Sequence, residues 1–123
     1  MLGFRPIQQG PEKAPKPSPM RNLSPEQLKS LLDQGQVRLL DVRQAEELEI
    51  ARIEGALHIP LNELPARLAE LDPAQPIAAL CHHGVRSEMA GRLLERNGFA
   101  HVAHLSGGID AWSQAIDPNI PRY

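Results

Sequence analysis

Among 123 residues there is a single cysteine, Cys81. An internal disulfide is therefore excluded, and so is a metal cage of several thiolates. Aromatic residues are nearly as scarce, with two Phe, one Tyr and one Trp. The core must then be built from Leu, Ile, Val and Ala, which suits a compact α/β protein. An excess of positive charge is also missing: the net charge of −2 gives no field to draw nucleic acid or an anionic membrane. No stretch approaches the roughly 18–20 apolar residues that would span a bilayer. The opening MLGFRPIQQGPEKAPKPSPM lacks the apolar core of a secretory signal. Both absences favour a cytoplasmic location.

What is present falls into two parts. Five of the twelve prolines lie in the first twenty residues, at Pro6, Pro11, Pro15, Pro17 and Pro19. That density blocks helix and central strand alike, so residues 1–20 read as an extended or disordered arm. Residues 21–123 have the length of one domain, since domains of about 100–150 residues are commonest. Ser24-Pro25-Glu26-Gln27 opens a helix, with Ser24 as N-cap, Pro at the first helical position and Gln27 completing a capping box. Leu28, Leu31 and Leu32 form its apolar face and Gly35 stops it. The apolar runs Val37–Leu40, Ala56–Ile59, Ile77–Leu80 and His101–Leu105 read as short buried strands. Asn62 is expected to cap a helix carrying Leu64, Leu68 and Leu71 inward. A further helix over Arg86–Asn97 is expected to bury Met89, Ala90, Leu93 and Leu94 on one stripe, and a last one over Ile109–Ala115 contains Trp112. Such alternation predicts a parallel sheet with helices on both faces.

In open α/β sheets, ligands bind at the carboxyl ends of strands, near helix N-termini. Cys81-His82-His83-Gly84-Val85-Arg86-Ser87 occupies that place, directly after the run Ile77–Leu80. Four residues separate Cys81 from Arg86, so the loop must curl around the sulfur, with Gly84 supplying the tight bend. Backbone N–H groups in such a curl point inward and form an anion-binding nest. The helix dipole adds positive character at the same place. A thiolate is expected to be favoured there, with the nest and dipole as first cause and Arg86 as second. Arg86 is a natural clamp for an oxyanion. Ser87 reads either as an ordinary first-turn residue or as a hydroxyl donor to the sulfur. His82 and His83, adjacent in sequence, cannot both face one metal and read as exposed loop residues.

These segments together resemble the rhodanese family. Leu40-Asp41-Val42-Arg43 with Glu46-Glu47 is similar to the strand and turn that open a rhodanese domain. Gly55-Ala56-Leu57-His58-Ile59-Pro60 resembles its Gly-Ala-x-x-Ile-Pro strand. Cys81–Ser87 matches its active-site loop, and Leu105-Ser106-Gly107-Gly108-Ile109-Asp110-Ala111-Trp112 its Leu-x-Gly-Gly-x-x-x-Trp segment. The resemblance implies a five-stranded parallel sheet flanked by helices on both faces. It also implies a sulfurtransferase that needs neither a metal nor an organic cofactor. Cys81 would take the outer sulfur of a donor such as thiosulfate as a persulfide. Cyanide, a thiol or a thioredoxin-like acceptor would then remove it. On this reading His82, His83, Gly84, Val85, Arg86 and Ser87 line the substrate, while Asp41, Arg43 and Arg52 either brace the loop or form rim salt bridges. Gly107 and Gly108 serve backbone geometry and Trp112 packs.

Three other functions stay open. Phosphatases and arsenate reductases built on this fold carry a loop one residue longer, suited to a larger oxyanion than a persulfide. Domains of the family that act as regulatory binding modules typically lack the cysteine, which is present here. An activated thiolate could also serve as a redox sensor, with an outside thiol to reduce it.

Overall fold

A computed structural model describes residues 19–123, and residues 1–18 of the proline-rich arm lie outside the described residues. Strands β1 (Arg21–Leu23), β2 (Arg38–Asp41), β3 (Leu57–His58), β4 (Ile77–Leu80) and β5 (Val102–Leu105) form one sheet. Every pairing is parallel, in the order β1-β5-β4-β2-β3. The connections hold helices α1 (Pro25–Asp33), α2 (Ala45–Ile50), α3 (Val85–Arg96) and α4 (Gly108–Ala115), and a 3-10 helix over Leu61–Glu70. None of the helices described is long and apolar enough to cross a membrane.

Two apolar layers cover the sheet, and strand alternation sorts residues between them. Ile77, Ala79 and Cys81 face the layer formed with Ala90 and Leu94 of α3 and Leu64 of the 3-10 helix. Ala78 and Leu80 face the opposite layer, with Leu28 of α1 and Ile109 and Trp112 of α4. Cys81 therefore continues the alternation of β4 and directs its side chain to the α3 face. Helices lie on both faces, as the alternating runs of the sequence require.

The capping box forms as read: the Ser24 hydroxyl accepts from Gln27 N at 3.1 Å and Gln27 Oε1 accepts from Ser24 N at 2.9 Å. Two local readings are corrected. Asn62 does not cap a helix. Pro60 holds the cap position, Pro65 removes a backbone donor from the middle of the segment, and the chain winds as a 3-10 helix instead. The Asn62 side chain accepts from Gln44 Nε2 at 3.2 Å. Met89 is not in the buried stripe of α3 but 56% exposed, because Ser87, Ala90, Gly91 and Leu94 supply the inward face. Two short elements, β1 and α2, add to those the sequence predicts. Three residues of edge strand are too few to show a period, and α2 has no buried residue to mark a face.

Candidate active site

Cys81 is the first residue after the central strand β4, and α3 begins four residues later at Val85. Gly84 stands at the N-cap with φ +116°, a left-handed conformation that favours glycine. No side chain caps α3, so its first-turn N–H groups are left facing the loop. Gly84 N donates to Cys81 Sγ at 3.0 Å. The thiol is buried, only 1% exposed, at the bottom of this curl.

The curl is held from outside by α4. Ile109 N donates to Cys81 O at 2.9 Å and Asp110 N to His82 O at 3.2 Å. This close approach needs Gly108, at φ +63°, since a Cβ there would run into the His82 carbonyl. The glycine pair thus lets α4 tether the loop through the Cys81 and His82 carbonyls, while the Gly84 N–H turns in to the sulfur.

Arg86 opens the first turn of α3 but does not stand free. Its guanidinium grips Glu47 of α2 through two bonds, Nη1 to Oε1 at 2.6 Å and Nη2 to Oε2 at 2.8 Å. That grip holds the Glu47 carboxyl down at about 2. Glu47 also accepts from Gln44 N at 2.9 Å and from the Tyr123 hydroxyl at 2.8 Å. The Tyr123 hydroxyl in turn accepts from Arg43 Nη1 at 2.8 Å. Arg43 is fully buried against Asp41, with Nη2 to Oδ2 at 2.7 Å, and donates to Ala51 O at 2.8 Å. One polar chain therefore runs Asp41–Arg43–Tyr123–Glu47–Arg86, from the end of β2 to the active loop.

Asp41 and Arg43 reach the loop by this route. Arg52 does not: it pairs with Glu54 at 3.1 Å on the surface, with both side chains well exposed, and among the described residues it makes no bond to the loop. The expectation that Arg52 braces the loop gives way to the rim salt bridge. His82 also departs from its reading as an exposed loop residue. It is half-buried, and its ring stacks on Tyr123 with centroids 3.7 Å apart and planes 4° from parallel. Burial, aided by the neighbouring His83, lowers its pKa. His83 and Val85 are exposed.

Glu47 and Tyr123 escaped the sequence reading as site residues. Gln44-Ala45-Glu46-Glu47 carries a capping-box pattern that could have found α2, but nothing local points Glu47 at Arg86. Tyr123 lies 76 residues from Glu47 in sequence and only the fold joins them. In the sequence His104 is marked only as part of the apolar run His101–Leu105. The structure puts its Nδ1 3.0 Å from Ser87 Oγ, and Ser87 Oγ 3.5 Å from Cys81 Sγ.

Residues 24–115 match the family model described as Rhodanese-like domain. GlpE of Vibrio cholerae, named a thiosulfate sulfurtransferase, is 28% identical over 92 residues that cover 75% of this chain and 84% of that protein. The maize adenylyltransferase and sulfurtransferase MOCS3-2 is 40% identical over 103 residues, which cover 77% of this chain. The chain spans only 21% of that relative's length, and 57% of Bacillus subtilis YrkF, to which it is 37% identical over 85% of its own residues. Among solved structures, the human single-domain sulfurtransferase TSTD1 superimposes with a TM-score of 0.71 at 28% identity, covering 79% of this chain and 98% of that one. The rhodanese-related protein of Thermoplasma volcanium gives 0.73 at 27% identity, covering 84% and 99%. Sheet order, loop and sequence converge on one assignment, and the chain belongs to the rhodanese-like domain family.

Proposed function

We propose that this protein moves a sulfane sulfur from an anionic donor to a thiophilic acceptor by way of a persulfide on Cys81. The observation that carries the reading is the position of the sulfur. Cys81 Sγ lies at the mouth of an uncapped helix and takes a backbone N–H from Gly84 at 3.0 Å. Fixed N–H dipoles aimed at a buried sulfur stabilise negative charge without reorganising. With thiosulfate, the Cys81 thiolate attacks the outer sulfur, a new S–S bond forms, and the bond to the departing sulfite breaks. In the second step cyanide or an acceptor thiolate attacks that outer sulfur and Cys81 leaves as thiolate. The cycle is covalent catalysis in two displacements, needs no metal or organic cofactor, and implies ping-pong kinetics.

Arg86 enters this reading in a changed role. Because Glu47 already occupies its fork, the pair is close to neutral and the backbone nest bears most of the work of holding the persulfide. The names of GlpE and TSTD1 support sulfur transfer as the reaction class, and a thioredoxin-like or other thiol acceptor fits the anionic persulfide. Intact mass spectrometry after incubation with thiosulfate tests the proposal. The expected result is a gain of one sulfur atom, lost on adding cyanide and absent from Cys81→Ser. A folded wild-type protein that gains no sulfur from thiosulfate or any other sulfane donor would refute it.

A further inference from the structure

Behind Cys81 lies a row of buried polar groups that the two displacements leave unused. Ser87 is fully buried and His104 is 6% exposed. On β5 the neighbours of His104 are Ala103 and Leu105, so an imidazole here is an expensive choice unless its nitrogens are satisfied. Both are. His104 Nε2 lies 2.6 Å from Asn22 Oδ1 on β1, and Nδ1 lies 3.0 Å from Ser87 Oγ on α3. We propose that His104 is the proton acceptor for Cys81, acting through the Ser87 hydroxyl, and so sets the fraction of Cys81 present as thiolate.

The direction of the bonds follows from Asn22. A carboxamide oxygen can only accept, so Nε2 carries the ring proton, and the neutral ring offers its lone pair at Nδ1. The one proton of the Ser87 hydroxyl has two acceptors in reach, Gly84 O at 3.1 Å and this lone pair at 3.0 Å. Turned to Nδ1, it leaves its own oxygen to accept from the Cys81 thiol at 3.5 Å. In the transfer, the S–H bond breaks as an O–H bond forms on Ser87, while the original hydroxyl proton passes to Nδ1. The products are a thiolate, an intact hydroxyl and an imidazolium, with no change of oxidation state. The imidazolium then donates from Nδ1 to Ser87 Oγ, and the hydroxyl turns to the thiolate or to Gly84 O, 3.1 Å away. Gly84 N–H remains on the sulfur in both states.

Two surroundings suit this role. Burial lowers the pKa of His104, with Glu88 of α3 opposing that shift and Arg92 adding to it. The resting ring is therefore neutral with its Nδ1 lone pair free, though as a weaker base it hands the proton on readily. A surface groove lined by Asn22, His83, Gly84, Glu88, His104 and Ser106 reaches the ring from the β1 side, which gives the proton a way to water. His104 touches no reacting sulfur and is a positioning residue. Its value to turnover rests on the reading of Cys81 as sulfur carrier. Where the acceptor arrives as a neutral thiol R–SH and not as a thiolate, it takes the outer sulfur as R–S–S⁻ and its proton passes to Cys81, which must lose it again before the next cycle.

The test is the rate at which iodoacetamide alkylates Cys81, followed across pH in the full chain. Ser87→Ala and His104→Gln should each slow alkylation at neutral pH by about tenfold, the effect of moving the curve one unit upward. All curves should converge in alkali, and Ser87→Thr should stay near wild type. Folded Ser87→Ala and His104→Gln proteins that both follow the wild-type curve would overturn the relay. Should Ser87→Ala not fold, His104→Gln decides alone. Alkylation uses no sulfur donor, which separates the two ideas: a displaced curve without sulfur uptake refutes the persulfide reading and leaves the relay standing, while uptake with an undisplaced curve does the reverse.

Discussion

Glu47 shows how one side chain changes what its neighbours can do. A free arginine at the loop would attract any small anion, but the fork of Arg86 is closed on the Glu47 carboxylate at 2.6 and 2.8 Å. Glu47→Gln should open it. The expected result is a KM for thiosulfate lowered a few-fold and a stability loss of about 1–2 kcal/mol in urea unfolding, since hydrogen bonds to charged groups exceed neutral ones. The sign with pH is fixed by the carboxyl itself. Its folded value, about 2, lies below its ordinary 4.5, so its contribution is complete above 4.5 and fades as pH falls towards 2. The wild type should lose stability across that window more steeply than Glu47→Gln. Equal slopes would show that the ion pair does not form in solution.

At the scale of the element, α3 is decided by packing and not by its own apolar residues. Leu94 has no exposed surface while Met89 has 56%. Thermal or urea unfolding should give Leu94→Ala a loss of about 2–5 kcal/mol, the cost of emptying a packed site. Met89→Lys should stay within about 0.5 kcal/mol of wild type, as surface changes generally do. Gly98, just after α3, and Gly108, the first residue of α4, make a matched pair of glycines. Gly98, at φ +89°, has open space where a Cβ would go, whereas Gly108 has the His82 and Cys81 carbonyls. Gly98→Ala should cost about 1–2 kcal/mol, the left-handed penalty alone. Gly108→Ala should cost more and also stop sulfur uptake, because the loop carbonyls it holds must move.

For the molecule as a whole, the segment after α4 matters more than its length suggests. Arg122 pairs with Asp110 at 2.8 Å and Ile120 packs into the layer around Trp112, which returns Tyr123 to the loop. There it stacks on His82 and links Arg43 to Glu47. Burial first, with Glu47 adding to it, pushes the Tyr123 hydroxyl up to about 12 from an ordinary 10. A raised value means that the folded state holds the proton more tightly than the unfolded chain. Its contribution is therefore complete below pH 10 and lost as pH rises through 12. Tyr123→Phe, which keeps the stack and drops the hydroxyl, should flatten the alkaline unfolding curve in that interval. A curve unchanged from wild type would mean that this segment does not close on the loop.

Local chemistry makes much of this protein legible in its sequence. Apolar runs alternating with capped helical stretches specify a parallel α/β sheet, since a strand buried on both faces must be apolar throughout. A cysteine between such a run and a glycine-bearing loop marks the site, because strand ends and helix starts bring N–H groups together. Asp41 and Arg43 could be suspected because they sit two residues apart at a strand end. Tertiary structure alone decided the rest. Pairing of Glu47 with Arg86, of Tyr123 with His82, and of His104 with Ser87 spans distances along the chain that carry no local signal. The exposure of Met89 and the surface position of Arg52 depend equally on which residues the fold packs against each face. Residue types set what each group can do, whereas a polar network across separate elements exists only once the sheet has set their order.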